Sequence, residues 1–401
     1  MRTPARLLAV TTLVIACAAP GVAAPPVCRT RTERVPAGTW ESRRMPPLDG
    51  LDSAWVLAAD ERDPRLVVVG DGSGILVTLD AGCTWERSVD YAEHLAPLVG
   101  RPLDAVVAGT ARDRSLHVLV APWQAFVPGL PPRLFSSYDD GATWTVVDLP
   151  APAGSAGFAS FSLTSSAGSP GRVYVLADHG AAGVLYAGSG TGEWQWRSLA
   201  LPSAPESCVP DSACLSRPLR ELQADPAEKG ELWALSSRGS ADSEGTLAFS
   251  SDEGAAWRSQ ALPSLTGGPA LLEVSARGAV VLLSDFWEYA VSRDGGRSWA
   301  VGDYPKLTSS TSTSAGVFEL ADFDEGRAIA ALPGAGPESG WAGNVLVFDG
   351  RRWTEATPRG FEGYDRTDAR GDRLAFTALA GSDDTLLALS STGHLMSFRR
   401  R

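Results

Sequence analysis

Four short stretches of this chain are written to one template. They are TLDAGCTW ending at Trp85, SYDDGATW at Trp144, SSDEGAAW at Trp257 and SRDGGRSW at Trp299. The shared form is Ser/Thr-x-Asp-x-Gly-x-Thr/Ser-Trp, with Ala256 the single departure. A reaction centre needs one such constellation, whereas a repeated structural unit needs one per unit, so the repetition itself points to architecture. Each part has a physical role in a hairpin turn. The acids Asp80, Asp139, Asp252 and Asp294 are expected to accept backbone N–H groups of their own turns. Gly141 and Gly296 are expected to take positive φ. The indoles of Trp85, Trp144, Trp257 and Trp299 are expected to lie between neighbouring sheets with their N–H groups satisfied.

Anchoring on tryptophan extends the series to seven: Trp40, Trp85, Trp144, Trp196, Trp257, Trp299 and Trp353, spaced 42 to 61 residues apart. The copies at 40, 196 and 353 keep the Trp and lose most of the turn signature. Between anchors run short apolar or β-branched stretches divided by Gly, Pro, Asp and Ser, such as LDAVVAG and SLHVLVA, with no sustained helical period. Each unit reads as four strands, a to c before the box and d from the Trp onward. The expectation is an all-β, seven-bladed β-propeller of four-stranded blades. The last unit stops after strand c, at HLMSF, while Trp40 begins a strand d with no strands before it. The N-terminal strand is therefore expected to join the last blade and close the ring.

These boxes resemble the Asp-box, or bacterial neuraminidase repeat, family. The resemblance covers most of the mature chain and is fullest at 137–144 and 292–299. Within the family it is nearer to the non-sialidase propellers, such as sortilin-type receptors, photosystem II assembly-factor-like proteins and many exported bacterial proteins. It implies a rigid platform that binds a protein or glycan with its loops. The sialidases of the family carry an aromatic-Arg-Ile-Pro motif, an arginine triad, an acid and a Tyr–Glu pair; guanidinium forks suit a substrate carboxylate. Here RRMP (43–46) puts Arg44 in the motif's Arg position but Arg43 and Met45 in its flanking ones. A sialidase-like glycoside hydrolase at the channel mouth is thus the competing reading, with Arg44 and an acid such as Asp71, Asp178 or Asp285.

In such a ring the box turns occupy one face, and the b–c and d–a loops the other. The b–c loops supply the candidate ligand residues: Asp71 in blade 1, Trp123 in blade 2, Asp178 and His179 in blade 3, Arg238 in blade 4, Asp285 and Trp287 in blade 5, and Trp341 in blade 6. Three loop tryptophans would suit a sugar or a protein surface. No catalytic residue, metal ligand set or cofactor is assigned. The four histidines lack metal spacing, DFDEG (322–326) reads as an a–b turn rather than a calcium loop, and His117 reads as a packed strand residue.

A formal charge of −12 argues against nucleic acid or an anionic lipid surface as partner. Arg2 and Arg6 precede the apolar run LLAVTTLVIACAA, with small residues at cleavage spacing after it. Residues 1–24 are expected to be an export signal, with VIAC ending at Cys17 as a lipobox-like alternative, and 25–401 the propeller. The protein is expected outside the cytoplasm, without a transmembrane segment, as a monomer. Cys28, Cys83, Cys208 and Cys214 then suggest two disulfides, Cys28–Cys83 and Cys208–Cys214.

Overall fold

In a computed structural model, the described residues are 38–46, 56–60, 62–95, 100–109, 113–122, 131–150, 160–165, 171–178, 183–189, 194–199, 219–226, 228, 230–236, 247–260, 262–266, 269–275, 277–284, 288–305, 317–324, 326–333, 345–358, 376–382, 384–390 and 393–400. They form seven antiparallel four-stranded sheets. The first strand, β1 (Trp40–Arg44), stands apart from those that follow it. Blade 1 is β2–β5 (Val56–Asp60, Asp63–Gly70, Gly74–Thr78, Glu86–Asp90), followed by a one-turn helix α1 (Tyr91–Leu95) that sequence periodicity did not reveal. Blade 2 is β6–β9 (Gly100–Gly109, Arg114–Pro122, Arg133–Ser137, Thr145–Asp148), and blade 3 is β10–β13 (Ser160–Ser165, Arg172–Asp178, Gly183–Ser189, Gln195–Leu199). Blade 4 is β14–β17 (Leu219–Ala224, Leu232–Ser236, Leu247–Ser250, Arg258–Gln260), and blade 5 is β18–β21 (Pro269–Val274, Val280–Ser284, Glu288–Ser292, Ala300–Asp303). Blade 6 is β22–β25 (Val317–Phe323, Ala328–Pro333, Leu346–Phe348, Trp353–Glu355). Blade 7 has the order β26-β27-β28-β1, with β26 (Phe376–Ser382), β27 (Thr385–Ser390) and β28 (His394–Arg399).

The closure expected from the sequence is therefore present. β1 pairs antiparallel with β28 in a register that sets Trp40 opposite Phe398 and Arg44 opposite His394. The first strands of the seven blades touch one another in a cycle that includes blades 7 and 1. They form the inner wall of the ring.

Alternation on the strands explains where the core lies. A blade between two others must be apolar on both faces, so its middle strands are nearly continuous apolar runs. On β3, Leu66 and Val68 face the seam with blade 2, while Val67 and Val69 face the seam with blade 7. The buried side chains accordingly divide into seven clusters, one at each seam. Each anchor Trp enters the seam with the preceding blade: Trp85 joins the 7/1 cluster, Trp144 the 1/2 cluster and Trp196 the 2/3 cluster. Trp257 joins 3/4, Trp299 joins 4/5, Trp353 joins 5/6 and Trp40 joins 6/7. The degenerate copies thus keep the Trp because the seam needs it even where the turn has changed. On the inner wall Gly381 is required, since a Cβ there would sit 1.5 Å from the carbonyl oxygen of Asp322 in blade 6.

Candidate functional site

The four box turns share one geometry. In blade 2, Asp139 Oδ1 accepts Thr143 N–H at 2.8 Å and Ser137 Oγ–H at 2.9 Å, and Oδ2 accepts the Thr143 hydroxyl at 2.6 Å. Ser137 Oγ in turn accepts Gly141 N–H at 2.9 Å. Blades 1 and 5 repeat this, with Thr84 donating to Asp80 and Ser298 to Asp294. In blade 4, Asp252 accepts Ala256 N–H at 2.8 Å, but Ala256 has no hydroxyl to offer. The turn holds two successive left-handed residues, not one. Gly141 (φ 90°) is preceded by Asp140 (φ 58°), and Gly82 and Gly254 are preceded by Ala81 and Glu253. The Thr143 and Ser137 hydroxyls and the Thr143 N–H hold the Asp139 carboxyl below its ordinary range. The equivalent donors, led by the Ser298 hydroxyl, pull Asp294 to about 2. An acid whose oxygens are already taken by its own turn is a poor metal ligand or proton donor. Among the described residues there is no His/Cys/Asp/Glu cluster suited to a metal.

The expected indole hydrogen bond is present at Trp144, which donates to Gly141 O at 3.0 Å, and at Trp40, which donates to Ala356 O. It fails at Trp85, Trp196 and Trp353, whose buried N–H groups have no partner. Those rings are held by apolar contact alone.

The box face also carries arginine ties that the sequence did not disclose. Arg114, at the start of β7, grips Asp140 with two nitrogens (2.5 and 2.9 Å) and reaches Asp60 of blade 1 at 3.2 Å. Arg172 of blade 3 pairs with Glu253 of blade 4 at 2.5 Å, and Arg400 pairs with Asp324 of blade 6 at 2.8 Å. Arg293 donates to Gly350 O across the 5/6 seam, and Arg43 to Ala81 O across the 7/1 seam. Asp140 and Glu253, the variable second residues of the Asp pair or acid pair in their boxes, are therefore seam partners.

On the opposite face, Asp71 is fully buried in the β3–β4 turn. Its Oδ1 accepts Ser73 N–H, Ser73 Oγ–H and Gly74 N–H at 2.7 to 2.8 Å. The Arg87 guanidinium lies 3.7 Å from its Oδ2. Arg44 is exposed at the end of β1, which is the outermost strand of blade 7, away from the inner wall. Asp178 is the last residue of β11, opposite Ser160 and Gly183. The structure does not bring Arg44, Asp71 and Asp178 together on one blade. Trp123, His179, Arg238, Asp285, Trp287 and Trp341 lie outside the described residues, as do Cys17, Cys28, Cys208 and Cys214 and the loop 308–314. Neither expected disulfide pair can thus be placed.

The inner wall holds a set of polar side chains that strand patterns alone did not flag. Asp104 Oδ2 accepts Leu163 N–H of blade 3 at 2.7 Å. Ser162 Oγ accepts Leu222 N–H of blade 4 at 3.2 Å, and Glu221 Oε2 accepts Leu272 N–H of blade 5 at 2.7 Å. One step along, Thr164 takes Ala224 N–H and Glu273 takes Asp322 N–H. The free edges of β10, β14, β18 and β22 are thus paired by side chains from the blade before each, which answers the problem that any sheet edge poses. Burial raises the Asp104 carboxyl to about 6 and the Glu221 carboxyl to about 8. His117, expected as a packed strand residue, is buried between Ser115 Oγ (2.8 Å) and Ser136 Oγ (2.9 Å), and desolvation lowers it to about 3.

Seven closed four-stranded blades define a seven-bladed β-propeller. Solved structures of the same fold agree. YCF48 bound to D1 peptide is 16% identical, over 92% of this chain and 97% of that one, with a TM-score of 0.57. YCF48 from Cyanidioschyzon merolae is 16% identical over 90% and 98% of the two chains, with a TM-score of 0.53. A catalytically inactive virginiamycin B lyase from Staphylococcus aureus, with quinupristin, is 9% identical over 89% and 98%, with a TM-score of 0.56. At such identities the likeness is one of fold. No protein-family model matches the chain, and no curated protein matches it. No helix among the described residues is long and apolar enough to cross a membrane.

Proposed function

We propose that this chain is an exported, non-catalytic propeller of the Asp-box type that holds a protein partner, as an extended peptide segment, in the loops opposite its box turns. The observation that carries this reading is the fold shared almost end to end with a propeller solved with a peptide bound, YCF48 with D1 peptide. The internal commitment of the box acids supports it, because it leaves the box face occupied with holding blades together. The export signal at 1–24, an oxidising compartment and a Cys28–Cys83 bond belong together in this reading, since such a bond needs that compartment. A glycan in place of the peptide is the nearest variant of this reading. The hydrolase reading is weakened by the place of Arg44 on an outermost strand.

The test is a peptide-library selection on the purified chain, followed by calorimetry with the enriched peptide. Saturable binding, lost when the blade 2 loop 123–130 is replaced by a short turn that leaves the fold intact, is the expected result. Failure to enrich any peptide, together with turnover of a fluorogenic glycoside or sialoside that disappears in Arg44→Ala, would overturn the proposal.

A further inference from the structure

Asp104 and Glu221 occupy the same place in blades 2 and 4. Each follows a break in register at the start of its inner strand, between Pro102 and Asp104 on β6 and between Leu219 and Glu221 on β14. Each carboxyl spans a seam to a backbone N–H near the middle of the next inner strand. In blade 3 the same place is held by Ser162, which cannot ionise and whose hydroxyl also donates to Leu222 O at 3.1 Å. Two of three successive seams are therefore closed by groups that can carry either no charge or a full one.

We propose that Asp104 and Glu221 are proton-operated clasps: neutral, they hold the 2/3 and 4/5 seams of the inner wall closed, and charged, they loosen them. The reason is the cost of charging a carboxyl that is half-buried against the inner wall and bonded to a backbone N–H across the seam. The two acids also repel one another, since the charge of Asp104 acts to raise Glu221.

The cations on neighbouring elements are committed elsewhere. Against β6 lie β2 with Asp60, β3 with Asp63 and Arg65, β7 with Arg114 and His117, β10 without a charged residue, and α1 with Glu93 and His94. Arg65 is held by Asp63, and Arg114 by Asp140 and Asp60. His117 is neutral between its two serines, while Glu93 and His94 are exposed. Against β14 lie β10, β15 without charge, β11 with Arg172 and Asp178, and β18 with Glu273. Arg172 is held by Glu253, and Glu273 adds a charge of the same sign as Glu221. Leu163 N–H and Ala105 N–H partly offset the charge on Asp104, and Leu272 N–H and Gln223 that on Glu221.

The sign follows from linkage. Both carboxyls titrate higher in the folded ring than in the open chain, where the ordinary values are 3.8 and 4.5. Their contribution is complete below those values and is lost as pH rises through about 6 for Asp104 and about 8 for Glu221. The folding equilibrium constant should fall by at most about tenfold per pH unit for each group that is fully linked.

Equilibrium denaturation between acid and mildly alkaline pH tests this on the full chain, with Asp104→Asn, Glu221→Gln and the double variant beside it. Both substitutions keep a carbonyl oxygen for the N–H and remove the proton. Each single variant should flatten its own part of the decline and the double variant both parts; the same slope in all four proteins would overturn the proposal. Carbon-13 titration of the labelled native protein decides the matter even if a variant fails to fold. Two carboxyl carbons titrating well above the ordinary range are expected, and every carboxyl titrating within that range refutes the clasp.

Discussion

Blade 4 offers a natural deletion that can be reversed. Its box has Ala256 where the others have Thr84, Thr143 and Ser298, so Asp252 lacks the hydroxyl that donates at 2.6 to 2.7 Å in blades 1, 2 and 5. Its remaining geometry matches theirs, with Ser250 Oγ at 2.8 Å and Ala256 N at 2.8 Å from Oδ1. Ala256 is exposed, so a larger side chain meets no neighbour in a filled core. Ala256→Thr should therefore restore the third bond and stabilise the ring. A net side-chain hydrogen bond contributes roughly 0.5–1.5 kcal/mol, and solvent exposure puts this one near the lower bound, about 0.5 kcal/mol. For a ring of this length that is a thermal shift of about 1 °C or less, from an unfolding entropy of ~2 cal/mol/K per residue. Urea titration followed by tryptophan fluorescence is the better assay, because a midpoint shift at constant slope reports stability directly. Ala256→Val is the control, isosteric with Thr but without the hydroxyl. Equal midpoints for Thr and Val, or a Thr variant no more stable than the parent, would refute the account of the box as a hydrogen-bonded turn.

Gly141→Ala should cost about 1–3 kcal/mol, because φ is 90° there and the new Cβ would lie 2.9 Å from Val77 Cγ2 across the seam; the same urea midpoint measures it. Arg114→Met should lower stability by about 2 kcal/mol at low salt and by less at high salt, since it frees Asp140 and Asp60 at the 1/2 seam. His117 should make the ring acid-sensitive in the sense opposite to the two inner acids. Its folded value of about 3 lies below the unfolded 6.5, so its contribution is present above 6.5 and is lost as pH falls towards 3. His117→Gln should flatten that acid limb in pH-dependent unfolding.

The parts of this fold that could be read from the sequence are those repeated along it. Seven tryptophans at blade spacing announce seven seams, because every seam needs one large ring in the same place. The missing strand d after HLMSF announces its replacement by TWESR. What was hidden is what joins one repeat to another. Arg114 and Asp60 are 54 residues apart, and Asp104 and Leu163 are 59 apart, distances at which no local period speaks. The same holds for the second left-handed residue in the boxes of blades 1 and 4. Ala81 and Glu253 are not types that announce positive φ by themselves, and only the closed turn forces it. On the candidate face, Asp71 looked like a loop acid in GDGSG, but the short turn folds its carboxylate inward onto Ser73 and Gly74. Asp104 and Glu221 are silent in the sequence, because an acid in an apolar strand has no signature apart from its being out of place.

Ring closure also sets a schedule for synthesis. β1 leaves the ribosome about 350 residues before its partner strand β28. At ~5–20 residues per second the first strand waits roughly 20–70 s with its edge unpaired. Throughout that interval Trp40 has neither Phe398 nor Phe376 beside it. Two chains growing side by side on one message would each present a waiting first strand and, later, a vacant last blade. Exchange between them satisfies the same pairings as closure within one chain, so crowding of nascent chains favours strand-swapped dimers and slow production favours single rings.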